Sequence, residues 1–138
     1  MRSNPSDSND FLKIAYQRLD AADFLIEGSY NKDGMYLAGY GIECALKALI
    51  LHLTPVADRA VMLKRITAGA SMHSDATLGQ ILKSELGTPL PLELVRRFRR
   101  FDWSPAMRYE TGREAFSEAR GLWKTAKATC EWVQEQLK

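Results

Sequence analysis

The sequence predicts an all-α protein, an up-down bundle of four to five helices, on three observations. The first is the stretch from Met35 to Leu53, MYLAGYGIECALKALILHL, the most continuously apolar part of the chain, long enough for a membrane span or a buried central helix. The second is the C-terminal series Phe116, Ala119, Trp123, Ala126, Cys130, Val133 and Leu137, whose alternating spacings of three and four make the seam of a packed bundle helix. The third is that no segment alternates with period two and no internal repeat is visible, which removes the main signal for a sheet.

Two charges decide how the central stretch is used. Glu43 and Lys47 stand in its middle at i,i+4 with the glutamate first, a supporting helical ion pair, whereas each would cost about 2.5 to 3.5 kcal/mol at a bilayer centre. Gly39 and Gly41 also weaken any span. A helix walled in by other helices is the consistent reading, with the glycines allowing one neighbour to approach closely. A Glu and a Lys on such a helix must either reach a groove or satisfy each other.

The chain of 138 residues fits one domain, large enough to bury roughly two-thirds of its unfolded surface without disulfides or metal. Its cysteines, Cys44 and Cys130, lie inside apolar helical patterns with no CxxC or Cys/His spacing, as buried free thiols of a reducing cytoplasm do. No metal or cofactor is called for. The opening MRSNPSDSND is polar, which predicts a disordered leader over residues 1–9, no signal peptide and a cytoplasmic protein, with the folded domain over residues 10–138. A net charge of +2 and a pI near 8.6 neither exclude nucleic acid nor demand it.

In chain order, Asn9 or Asp10 can cap a first helix reaching about Glu27, with Phe11, Ala15, Leu19, Ala22 and Ile26 on one face. Gly28 to Gly34 reads as the turn into the central helix, which Pro55 ends. Residues 56–72 read as a helix followed by a flexible loop. Ser74 or Asp75 can cap a short helix carrying Leu78, Ile81, Leu82 and Leu86 and stopped by Gly87. After the rigid connector Thr88 to Pro91, LELVRRFRRF places Leu94, Val95, Phe98 and Phe101 on one helical face and Arg96, Arg97, Arg99 and Arg100 on the other. Pro105 breaks that segment and Gly112 loosens its exit. Thr111 with Glu114 three residues on forms a capping box for the last helix.

The sequence holds no Gly-rich phosphate loop, no HExxH, no GxSxG and no zinc-type Cys/His grouping. Its two histidines are His52, at the end of the central helix where it can help cap carbonyls, and His73, in a polar loop better placed to reach a groove. Four arginines without a lysine at 96–100 favour planar, bidentate recognition of phosphate over a merely solvated face. Arg108 and Tyr109 add to this, since an arginine beside an aromatic ahead of a helix can hold a phosphate while the ring stacks on a base.

Three stretches, GIECALKALILHL, MHSDATLGQILKSEL and AMRYETG, in this order within an all-helical chain, make the sequence resemble a HEPN domain, the higher eukaryotes and prokaryotes nucleotide-binding family, over residues 10–138. The resemblance implies a helical bundle, commonly a homodimer, often encoded beside a minimal nucleotidyltransferase in a toxin–antitoxin-like pair. Several branches of the family are metal-independent ribonucleases with an Arg followed four to six residues later by His. Here FDWSPAMRYE follows Arg100 with no histidine, so that dyad does not carry over. The Arg-Tyr of another branch, linked to nucleotide binding, matches Arg108 and Tyr109, with Glu110 where that branch usually has proline and a longer spacer between His73 and Leu78.

The resemblance thus implies a non-catalytic nucleotide- or RNA-binding module in which Arg100 and Arg108 contact phosphate, Tyr109 stacks or hydrogen-bonds, and Glu43, Lys47 and His73 line the groove. Two other readings stay open. One is a metal-independent ribonuclease using His73 in place of the missing histidine. The other is a helical protein-interaction module without nucleotide binding.

Overall fold

In the computed structural model, residues 5–101, 103–111 and 114–138 are described, with Ala70 and Arg108 described in the backbone alone. Helix α1 spans Ser8–Glu27 because Asp7, in extended conformation, accepts from Asp10 N at 2.8 Å, while the Asp10 carboxylate takes the Ser6 N–H at 3.0 Å. This reciprocal arrangement moves the cap from the expected Asn9 or Asp10 to Asp7 and draws Ser8 and Asn9, read as leader, into the helix. The buried face is the expected Phe11, Ala15, Leu19, Ala22 and Ile26.

Helix α2 spans Asn31–Leu53, so the turn is shorter than Gly28 to Gly34. Ser29, at φ 70°, makes the reversal. Gly34 lies within the first turn of α2 because the Ile26 side chain fills the space a Cβ would need. Every residue from 41 to 51 is buried: α1, α4 and α6 all pack on this one helix. It is long and apolar enough to cross a membrane by length and composition, and 83% of that apolar window is covered inside the protein. The glycines admit two neighbours, the Ala15 carbonyl of α1 at Gly41 and the Trp103 indole at Gly39.

Past Pro55 a 3-10 turn, Val56–Asp58, leads into α3, Arg59–Ile66, anchored by Ile66. The expected helix is present, and a second 3-10 turn, Ala70–His73, tightens part of the expected loop. Arg59 donates to the carbonyls of Thr54 at 2.9 Å and His52 at 3.1 Å, so an arginine side chain caps the end of α2. Ser74 caps α4, Asp75–Ser84, which buries Leu78, Ile81 and Leu82 on α2. The helix gives way at Glu85, before Gly87 at φ 66° turns the chain. Helix α5, Leu92–Arg100, follows Pro91 and rests on α6, with Leu94 buried.

A third 3-10 turn, Pro105–Tyr109, lies along α2 with Met107 buried; α5 has already ended at Arg100, with Phe101 extended, so Pro105 opens this turn and is not what breaks the helix. Helix α6, Phe116–Gln136, starts after Ala115 without a side-chain cap. The capping box expected at Thr111 and Glu114 therefore does not form. Glu114 is held elsewhere: its carboxylate lies 3.4 Å from Lys32 Nζ and its carbonyl accepts from Asn31 Nδ2 at 2.9 Å. Gly112 lies outside the described residues. Phe116 begins the expected seam yet is half exposed, while Ala119, Leu122, Ala126, Cys130 and Val133 are buried. Trp123 and Arg120 tie α6 to α1, the indole N–H donating to the Leu19 carbonyl and the guanidinium pairing with Asp23 and Glu27. Among the described residues the fold is an all-helical bundle with no strand. Its six α-helices exceed the expected four or five because α3, α4 and α5 are separate short elements.

Candidate functional site

Helix α2 presents Glu43 and Lys47 one turn apart on the side facing the connector between α3 and α4. Both are buried, and Lys47 Nζ donates to Glu43 Oε2 at 2.8 Å. The short turn ahead of α4 brings His73 onto the same carboxylate, with Nδ1 at 3.1 Å from Oε1 and 3.2 Å from Oε2. Glu43 thus bridges a buried ammonium and a half-buried imidazole from a residue 30 positions away. An ionised carboxylate only accepts, so Nδ1 of His73 is the donor and Nε2 is left as the ring nitrogen that can accept or release a proton. Glu43 and Lys47 satisfy each other, and of the two it is Glu43 that lines a crevice, with Lys47 behind it.

That crevice, about 20 Å³, is lined by Gly39, Ile42, Glu43, His73, Asp75, Phe98, Phe101, Trp103 and Leu122, room for about one water. Its mouth is shaped by aromatic rings. Trp103 lies on Gly39, stacks on Tyr36 with centroids 6.1 Å apart and donates to the Tyr36 carbonyl at 3.2 Å. Burial pushes the Asp75 carboxyl above its ordinary range, against the lowering by its backbone hydrogen bonds. Burial, with the Glu43 charge second, also pushes the Tyr40 hydroxyl up.

The arginine face of α5 runs beside this mouth. Arg97 pairs with Glu93 at 3.3 Å, whereas Arg96, Arg99 and Arg100 are exposed and make no ion pair among the described residues. Phe98 and Phe101, on either side of Arg99 and Arg100 in the chain, line the crevice itself. The backbone of Arg108 belongs to the turn Pro105–Tyr109, and its side chain lies outside the described residues. Tyr109 is 78% exposed, and its neighbour Glu110 is tied to Lys32 at 3.1 Å. Lys32 precedes Glu43 by eleven positions, roughly 16 Å along the helix axis. The fold therefore gathers Glu43, Lys47 and His73, sets Arg100 on the adjacent face, and leaves Tyr109 toward the start of α2.

Sequence reasoning passed over Asp75, except as a cap, and Trp103 altogether. The signal for Trp103 was Gly39, a small residue in a central helix that needed a flat neighbour. Among the described residues no three His, Cys, Asp or Glu side chains are grouped as a metal would require. The chain matches no protein-family model, no curated protein and no solved structure.

Proposed function

We propose that the protein is a nucleotide- or RNA-binding helical module that binds without catalysing a reaction, acting as a cytoplasmic homodimer and docking a nucleotidyltransferase in a toxin–antitoxin-like pair, as the HEPN resemblance implies. The observation that carries this reading is that Arg96, Arg99 and Arg100, exposed and without an ion pair among the described residues, stand beside the aromatic crevice over Glu43 and His73. Exposed guanidinium groups suit the planar oxygens of phosphate, and the neighbouring rings suit a base. The crevice is too small for a nucleotide, so the ligand lies over the α5 face and touches the crevice only at its edge. Arg108 and Tyr109 join the proposal from the sequence, as contacts for a longer strand or from the second subunit. Exposed Phe24, Tyr30 and Phe116 cluster where α1 ends and α2 and α6 begin, an apolar end suited to self-association.

A second reading rests on a specific observation. Glu43 fixes His73 through Nδ1, the way a carboxylate orients a histidine general base, and leaves Nε2 for proton transfer in a metal-independent ribonuclease. Calorimetric titration with ATP, GTP and a short RNA, beside an RNA-cleavage assay of wild type and His73→Ala, separates the readings. Binding without cleavage supports the first. Cleavage lost in His73→Ala replaces it with the second, and neither binding nor cleavage leaves a protein-interaction module.

A further inference from the structure

Helices α4 and α5 follow each other in the chain but pack on different partners, α4 on α2 and α5 on α6. Their facing sides are left apart, and the gap is a half-open groove of about 510 Å³, within the size range of small-molecule sites. Small residues on α4, Ala76 and Gly79, make the room, and Leu90, Leu92, Val95 and Phe98 supply an apolar surface opposite. Leu92 is 62% exposed there. Polar groups are few and lie at the edges: Gln80 and Lys83 from α4, Arg99 from α5, and Asp75 at the end shared with the crevice. Neither Lys83 nor Arg99 has an ion pair among the described residues.

We infer that this groove is a binding site for a small amphiphilic anion, an alkyl or aryl carboxylate whose apolar body lies on Leu90, Leu92, Val95 and Phe98 and whose charge is met by Lys83 or Arg99. The walls decide the class. A nucleobase buried here would leave its edge donors and acceptors facing aliphatic carbon, which is costly, whereas an alkyl chain makes no such demand. One cation on each wall selects against an amine. Asp75, the one negative charge in the lining, stands at the end shared with the crevice. This inference shares Arg99 with the nucleotide reading, which otherwise uses Arg96 and Arg100 on the outer face of α5.

Sodium decanoate, below its micelle concentration, is titrated calorimetrically into the full chain, with decylamine as the reversed-charge probe. Decanoate binds saturably at one per chain, and decylamine binds at least about tenfold more weakly. Lys83→Ala with Arg99→Ala lowers decanoate affinity about tenfold. Ala76→Trp fills the groove and abolishes binding, with Val95→Trp on the opposite wall as the second filling variant and circular dichroism to check that each is folded. No saturable decanoate binding overturns the inference, as does equal binding of decylamine or binding that survives filling of the groove in a folded variant. A groove silent to decanoate that takes an acidic amphipathic peptide overturns it in favour of a protein partner. Decanoate has neither base nor phosphate, so this result and the nucleotide titration succeed or fail separately.

Discussion

The long helices α1, α2 and α6 and the short helices α3 to α5 use apolar residues for different ends. Along the long side the seams are sealed by alanines and leucines with essentially no exposure, Ala15, Ala22, Ala38, Ala45 and Ala48 among them, so the helices lie close, and Phe24 and Phe116 are exposed away from those seams. On the short side Val56, Val61 and Leu92 stand 77%, 73% and 62% exposed, and the described crevice and grooves are lined mostly from there. The long half supplies most of the sealed core, and the short half most of the lining of the crevice and grooves. The Glu43, Lys47 and His73 cluster joins them, two residues from the sealed half and one from the open half.

The largest expected effect tests how closed the long side is. Burial pushes both thiols, Cys44 on α2 and Cys130 on α6, up to about 12, so at pH 8 their thiolate fraction falls roughly a thousandfold below that of an exposed cysteine. A disulfide-exchange reagent should leave both untouched in native protein and titrate two thiols per chain only after denaturation. Reaction at the rate of an exposed thiol would show that α2 and α6 separate readily, and the contrast between the halves would fail.

Next in size is a comparison of two ion pairs, one from each half. Lys47→Met leaves the buried Glu43 carboxylate with His73 alone and should cost about 3–5 kcal/mol, while Glu43→Leu combined with Lys47→Met should recover most of it. Arg65 and Glu85, joined at 2.6 Å with side chains 42% and 44% exposed, should yield only about 0–1 kcal/mol to Arg65→Ala, less in salt. Urea denaturation of the three variants and wild type measures both. Similar costs for Lys47→Met and Arg65→Ala would mean that the Glu43 site is wet.

These halves were not equally legible in the sequence. The faces of α1 and α6 and the burial of α2 follow from apolar residues at three and four, because a seam against one neighbour writes its period directly into the chain. Local rules failed where a distant residue decided the matter. Gly34 has the composition of a turn, but Ile26 makes it a packing glycine. Thr111 and Glu114 have capping-box spacing, but Lys32 holds Glu114. Glu43 and His73 were each visible as candidates, and only the fold brings them into contact. Arg99 read only as one of an arginine face suited to phosphate, since nothing local reveals that α4 and α5 rest on different helices and leave a groove between them.

On the open side, Arg100→Ala and Arg108→Ala should each weaken nucleotide or RNA binding about ten- to a hundredfold, the range for hydrogen bonds to a charged group. Lysine should rescue part of the loss, because an ammonium lacks the planar fork. The fold should survive Arg100→Ala, since that side chain is exposed. Titration with ATP, GTP and a short RNA, beside a melting curve, checks both residues. Unchanged affinity in both variants would remove them from the site.

The smallest effect concerns Asp75, and there the sign is the test. Its carboxyl sits at the first turn of α4, where the helix dipole favours a negative charge, yet burial against the crevice raises its pKa and outweighs the backbone hydrogen bonds that lower it. A folded pKa above the unfolded one means that the folded state holds the proton more tightly. The resulting stabilisation is fully present below the unfolded pKa and is lost as pH rises through the folded pKa. Asparagine cannot ionise, so Asp75→Asn should gain stability relative to wild type as pH rises through the acid range, with the difference levelling off above it. Denaturation midpoints of the two proteins across that range give the difference directly and cancel the other carboxylates, including Glu85, whose pKa is lowered by Arg65. A variant that instead loses ground with rising pH would mean that the dipole and hydrogen bonds win, and that the end of the groove shared with His73 is open to water.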